Sequence, residues 1–448
     1  MMNITHIGLS GLLASQAGMD MSARNTANLN TPGYTRQGTL VTARAGGGVA
    51  VTALTRFEDR YKSQQVWNTT ARAASYSATE PYFAQLEEVM GLEDGSVKGG
   101  IDAFFASLDE VSTSPTSVPL RQQVISAAEG LVKRFDSLRQ TLYGQLDAVR
   151  QQVAASAGQV GNLTATVARL NERIAETAAL GGSTSELVDQ RDRALTELAG
   201  LVEIRVVENG DGTVDVALAK GPPLVAGKLA ARLELLPATD GGIDLQLSLG
   251  AATFPLAGEQ AGGAIGGMSG YASGVLAQQL EFTQALAAEL ATRVNAGLTS
   301  GYGIDGLPGL ELFLVDPATG RISVNPDITQ ARLGFSAVAG EPGNSENLAE
   351  VLGVRLQTFA LAGLGEVSVG DAYTMMVGQL GSDSQNNGAM LQTAITLRQQ
   401  AEQDLASVSG VNSEEEVVRI SELLQAYQAN MKVISVAGEM FDSLIQAF

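Results

Sequence analysis

The densest set of chemically capable side chains in the sequence is Glu186, Asp189 and Asp192, interleaved with Arg191 and Arg193. Two carboxylates can serve as acid and base in glycoside hydrolysis, so a carboxylate-based cell-wall hydrolase is one reading of this cluster. At helical spacing the same residues form solvated ion pairs, which is the weightier reading. Gly301-Tyr302-Gly303-Ile304-Asp305-Gly306 has the spacing of a dinucleotide-binding turn. Pro308 and Gly309 follow it where a phosphate-binding helix should begin, so it reads as a loop. Asn209 to Asp215 looks superficially like a calcium loop, but the flanking alternation makes it a hairpin. Asn3, Asn68 and Asn162 begin glycosylation triplets, which matter only in a glycosylating compartment. The single histidine, His6, lies on an apolar segment and reads as an interface residue, and cysteine is absent. Thiol catalysis and cysteine-ligated metal are thereby excluded. The sequence is expected to carry no catalytic residue, no metal site and no cofactor.

The 448 residues suffice for several domains. A net charge of −20 repels nucleic acid and anionic membrane surfaces, and aromatic residues make up only 5% of the chain. Neither nucleic-acid binding nor membrane insertion is expected, since no apolar stretch is long enough to span a bilayer. The apolar run from Ile7 to Ala14 has no basic residue before it; the first is Arg24. A cleaved secretory signal needs that basic segment, so this run is expected to stay in the mature protein.

The chemically capable residues have to be held by helices. From Val417, the positions Ile420, Leu424, Tyr427, Met431, Ile434, Gly438, Phe441, Ile445 and Phe448 follow alternating steps of three and four. This is a heptad seam. Ser413 stands three residues before Glu416, the spacing of a capping box. The N-terminal stretch carries Ile4, Ile7, Leu9, Leu12, Leu13, Met19 and Met21 up to a stop at Thr31-Pro32-Gly33. Gly8, Gly11 and Gly18 weaken this helix by up to about 1 kcal/mol each relative to alanine. It is therefore expected to need a packing partner. After it come extended residues around a Gly46-Gly47-Gly48 turn, with helix resuming near Arg56. Residues 120 to 179 keep apolar side chains at steps of three or four, enough for one helix of about 90 Å. Gly158 and Gly161 are the expected kink or break. Alternation returns in 201–262, residues 301–345 are loop-rich, and a last body helix is expected over about Gln385 to Ser407.

Asn25-Thr26-Ala27-Asn28-Leu29-Asn30-Thr31-Pro32-Gly33-Tyr34-Thr35-Arg36-Gln37 closely resembles the N-terminal signature of the flagellar rod, hook and hook-associated axial proteins. Thr26 stands where isoleucine is more usual. Ser409-Gly410-Val411-Asn412, Glu414 to Glu416 and Gln425 to Asn430 resemble that family's C-terminal signature, with Ser413 in place of a leucine. In the interior, Ser112 to Pro115 with Arg121, Leu170 to Ile174, Asp189 to Asp192 and Gly343 to Asn347 are similar to the hook-associated members that form the hook–filament junction.

The resemblance implies a structural protein exported through the flagellar type III channel and placed extracellularly between hook and filament. It implies self-assembly, contacts with hook protein and with a second junction protein, and an export chaperone on the C-terminal helix. A hook or distal rod subunit is the alternative within the family. The expected fold is mainly α with a small β insertion: an elongated, nested multi-domain rod with a long helical-bundle body and terminal helices paired like a coiled coil. The expected division is 1–34 with 412–448 as the terminal assembly domain, 35–200 with 263–411 as the body, and 201–262 as the insertion. The expected assembly residues are Ile4, Ile7, Leu12, Leu13 and Met19, with Val417, Ile420, Leu424, Tyr427, Met431, Ile434, Phe441 and Ile445. The expected joint is Asn25, Asn28, Thr31, Pro32, Gly33, Tyr34, Arg36 and Gln37, in which Pro32 and Gly33 set the turn.

Overall fold

Residues 118–179 place an apolar side chain at every third or fourth position, and the computed structural model shows them as one unbroken helix, α4 (Val118–Ala179). It describes residues 2–91, 95–237, 242–317, 319–361, 363 and 365–446. At 1.5 Å per residue, α4 is about 93 Å long. Pro119 sits in its first turn, where a missing N–H costs nothing. The expected break at Gly158 and Gly161 does not occur. Val153, Ala157, Val160 and Val167 are buried on either side of these glycines. That packing outweighs a helix-propensity penalty of about 1 kcal/mol per glycine.

The other body elements lie along this helix. They begin with α2 (Arg60–Gly91), α3 (Val97–Ser112) and α5 (Ser185–Leu201). Six antiparallel strands follow in simple sequence order: β3 (Ile204–Glu208), β4 (Val214–Leu218), β5 (Pro223–Ala226), β6 (Leu229–Leu236), β7 (Asp244–Leu249) and β8 (Ala252–Ala257). Their inward positions, including Val216, Leu224, Leu233, Leu245 and Leu247, are buried, and β6 packs on α4. Helix then resumes as α6 (Gly263–Gly270), passes through a π-helical stretch at Tyr271–Leu276, and continues as α7 (Ala277–Ser300). The loop-rich region holds one small pair, β9 (Phe313–Val315) with β10 (Ile322–Val324). After α8 (Glu346–Gly353) and the pair β11 (Thr358–Leu361) and β12 (Gly365–Ser368), α9 (Ala372–Ser409) packs along α2. α9 begins well before the expected Gln385, because Tyr373, Met376 and Leu380 are buried and the Tyr373 hydroxyl donates to the Met90 carbonyl at 3.0 Å.

The polar residues that carry the interior resemblance act as staples in this body. Asn171 on α4 donates to the carbonyls of Val214 (2.7 Å) and Gly227 (2.9 Å) and accepts from the Val214 N–H. Arg121 is fully buried: its guanidinium donates to the carbonyls of Pro115, Gln330 and Leu333 and lies 4.5 Å from the Phe335 ring centroid. Burial lowers its pKa to about 10, against the opposing field of Asp305. Asn347 donates to the carbonyls of Gly297 and Gly334.

The two chain ends form α1 (Met2–Ala27) and α10 (Ser413–Gln446), packed side by side. A hairpin, β1 (Gln37–Ala43) and β2 (Val49–Arg56), lies against α1, where the Val49 N–H donates to Ser10 Oγ at 3.0 Å. Helix therefore resumes at Arg60, not Arg56. The fold is mainly α with small sheets and long helices. Among the described residues, no helix is long and apolar enough to cross a membrane.

Candidate assembly face and joint

On α1 the residues turned inward are small. Gly8, Ala14, Ser15, Gly18, Ser22 and Asn25 are buried, and Met21 is the one large apolar residue among them. A Cβ added at Gly8 would stand 2.9 Å from Ile434 Cγ1, one at Gly11 2.5 Å from Asn430 Oδ1, and one at Gly18 2.9 Å from Leu423 Cδ2. These glycines let the backbone of α1 approach the side chains of α10. The spacing 8, 11, 15, 18, 22, 25 is itself a heptad pattern of small residues, a signal that an apolar count passes over.

The partner face of α10 is Glu416, Ile420, Leu423, Tyr427, Asn430, Ile434 and Ala437, all buried or half-buried. The expected C-terminal seam thus divides. Ile420, Tyr427 and Ile434 turn toward α1, whereas Val417, Leu424, Met431, Phe441 and Ile445 are exposed, as are Val418, Val433, Val436, Met440 and Leu444. Gly438 is exposed with open space around it, and Phe448 lies outside the described residues. On α1, Ile4, Ile7, Leu9 and Leu13 are exposed, while Leu12 and Met19 are half-buried.

The joint is built around Asn25, which is 1% exposed. Its Oδ1 accepts from the Tyr34 hydroxyl (2.8 Å) and the Gln37 N–H (3.1 Å). Its Nδ2 donates to the Gln37 carbonyl (2.8 Å) and to Glu416 Oε1 (3.1 Å). All four hydrogen-bonding positions of this amide are filled, which offsets its burial. Glu416 also receives Arg36 Nε at 3.2 Å, and Arg36 Nη1 meets Glu415 at 3.1 Å. The expected Ser413–Glu416 capping box is therefore replaced: Asn412 Oδ1 accepts from the Glu414 N–H, freeing Glu416 to bind the N-terminal segment. The Arg36 N–H donates to the Ser409 carbonyl at 2.8 Å, tying both chain segments that enter the terminal pair.

The turn itself uses Asn28, Thr31, Pro32 and Gly33. Thr31 Oγ1 donates to Asn28 Oδ1 at 3.2 Å, and Asn28 Nδ2 to the Arg24 carbonyl at 2.9 Å. Gly33 has φ +71°, a conformation that favours glycine, and a Cβ there would meet Arg193. Burial raises the Tyr34 pKa, with Asp189 and Glu416 adding to the rise and Arg24 opposing it.

Arg56, at the end of the hairpin, links the joint to the body. Its Nη2 donates to Thr35 Oγ1 (2.8 Å), Asp189 (2.7 Å) and Asp192 (2.9 Å), and its Nη1 meets Glu58 at 2.6 Å. Burial pushes the Asp189 carboxyl up, and Arg56 pulls it back. Two of the three carboxylates considered above for acid–base chemistry are thus both engaged by one guanidinium. Cavities of about 330 and 420 Å³ flank Arg56, lined by Trp67 and Ser63 on both sides. Gly301 to Gly306 is a loop after α7, in which Tyr302 bridges to Ser336 and Pro308.

A profile of the flagellar hook-associated protein FlgK helical domain matches residues 83–313, just over half of the chain. The chain belongs to this flagellar hook-associated family. A second profile, for the C-terminal part of flagellar basal body rod FlgEFG proteins, matches residues 402–447 and covers α10. Flagellar hook-associated protein 1 of Salmonella typhimurium is 28% identical over 352 residues, covering 73% of this chain and 62% of that protein. The chain thus matches less than two thirds of that relative's length. The Escherichia coli protein of the same name is 26% identical, covering 99% of this chain and 100% of its own length. Among solved structures, the flagellar hook junction protein FlgK from Burkholderia pseudomallei is 26% identical, with a TM-score of 0.52, covering 56% of this chain and 47% of that one.

Sequence reasoning passed over three features of this region: the small-residue face of α1, the role of Glu416, and Arg56 as the link to the body. The first was visible as glycine spacing. The other two depend on residues far apart in the chain.

Proposed function

We propose that this chain is a structural subunit of the bacterial flagellum, sited extracellularly at the junction between hook and filament and acting by assembly instead of catalysis. Family membership supports the flagellar setting, and the match of the interior to the hook-associated domain favours the junction over a hook or distal rod role. One observation carries the assembly reading: the terminal helix pair meets through the small residues of α1 and leaves most of its large apolar residues exposed. A pair made for one chain alone would do the reverse, because burial of large apolar surface, at about 25 cal/mol per Å², is what stabilises a helix pair.

The mechanism is coupled folding and stacking. Fixing the backbone of α1 and α10 costs about 1–2 kcal/mol per residue. The glycine-lined contact between them returns little apolar burial, so neighbouring copies supply the remainder by covering Leu424, Met431, Phe441 and Ile445 of α10 and Ile4, Ile7 and Leu13 of α1. Head-to-tail contacts of this kind close into a ring or continue as a helix. Residues 1–34 with 412–448 would act as the assembly unit, 201–262 as an appended β unit, and the remainder as the body. The hairpin, though beyond residue 34, packs on α1 and goes with the terminal unit. Hook protein and the second junction protein are the proposed axial neighbours, and an export chaperone would cover the apolar side of α10 before secretion.

The test is binding of purified full-length chain to isolated hook ends. Leu424→Glu with Met431→Glu, both on the exposed side, should abolish binding while the helical circular dichroism signal stays unchanged. Undiminished binding would overturn the assembly reading.

A further inference from the structure

The hairpin is a second exposed apolar surface, turned a different way from the first. Leu40, Val41, Val51 and Leu54 are exposed, at 38–48% of their full area. β1 and β2 form a sheet of two strands only, an arrangement that is marginal in water by itself. The hairpin touches α1 at Ile7 and Ser10, whereas α10 touches it at Gly8 and Gly11. Neighbouring positions on a helix are about 100° apart around its axis, so the hairpin and α10 hold different sides of α1. Their outward apolar surfaces diverge within one chain, yet a head-to-tail contact would bring them together between two chains.

Charge selects the partner. Residues 37–56 contain Arg44 and Arg56 and no carboxylate, in a chain of net charge −20. α10 carries six carboxylates and two basic residues, and its Glu422, Glu439 and Asp442 are exposed beside the apolar stripe. Edge-to-edge pairing of two hairpins is disfavoured, because the bulge at Leu40/Val41 adds local twist to the strands and two Arg44 side chains would repel each other.

We propose that the β1–β2 hairpin docks on the exposed face of α10 of a second copy of this chain, with Arg44 set against its outer carboxylates. This rests on the self-assembly reading above and adds which surface meets which. A photoreactive residue placed at exposed Thr42 in the full-length chain tests it, with light and heavy isotope-labelled chains mixed, assembled on isolated hooks and irradiated. Mixed-isotope links from position 42 to residues 413–446 are expected, and Arg44→Glu should lower their yield about fivefold. Links from position 42 to another hairpin, to a body segment or to hook protein would overturn the docking, provided a control probe at exposed Gln428 still joins two copies. If neither probe joins two copies, the self-assembly reading falls and the docking with it.

Discussion

α4 and α10 carry apolar residues at the same steps of three and four, but what they do with them is opposite. α4 buries a stripe from Val124 to Ile174, including Leu131, Leu142, Val149 and Val160. α10 buries only Glu416 and Ala437, and its leucines, methionines and phenylalanine stand outside or half outside. The difference lies in what faces each helix. α4 is flanked by α3, α5 and the insertion sheet, whose side chains are large. α10 faces one helix, and that helix presents glycines and serines. An identical periodicity therefore marks a finished core in one region and an unfinished one in the other.

Substitutions at matched positions would break or sharpen this comparison. Leu142→Ala in α4 should have the largest effect, destabilising the body by about 2–5 kcal/mol in a denaturant melt, because a fully buried leucine leaves a cavity. A cost below about 1 kcal/mol would mean that the body core is as loose as the terminal pair. Next is Asn25→Ala, which strands the Gln37 backbone groups and the Tyr34 hydroxyl and leaves Glu416 Oε1 with Arg36 alone. It should loosen the joint by about 1–3 kcal/mol, read as faster hydrogen exchange in α1 and α10 with body exchange unchanged. Equal acceleration in α4 would show that the joint and body unfold as one unit. The smallest effect belongs to Leu424→Ala: within about 0.5 kcal/mol in the free chain, as for other exposed sites, but with weaker binding to hook ends. A free-chain loss like that of Leu142 would mean that α10 is already covered in the monomer.

The joint adds a second lesson about reading sequence. Asn25, Tyr34, Arg36 and Gln37 stood out as a signature, and they do converge in space, through Asn25 and Glu416. Their convergence point was not legible, because Glu416 is 391 positions away from Asn25 and its local spacing suggested a cap. The aspartates at 189 and 192 were legible as charged partners on one helix. Their shared counterion, Arg56, comes from a hairpin whose arginine looks unremarkable in the sequence.

What the sequence determined by itself is the two terminal helices, the long apolar stripe of residues 120–179, the alternating strands of the insertion and the turn at Pro32-Gly33. Each of these follows from local rules: side-chain period, the fixed φ of proline and the freedom of glycine. Only the tertiary structure decided that α4 runs unbroken through Gly158 and Gly161, that α10 meets its partner through 416, 420, 423, 427, 430, 434 and 437, and that 417, 424 and 431 face outward. Those two stripes on α10 lie one residue, about 100°, apart on the same helix, and both are apolar enough to serve. Which one turned inward was settled by the shape of α1, whose small residues admit the side chains of one stripe and leave the other exposed.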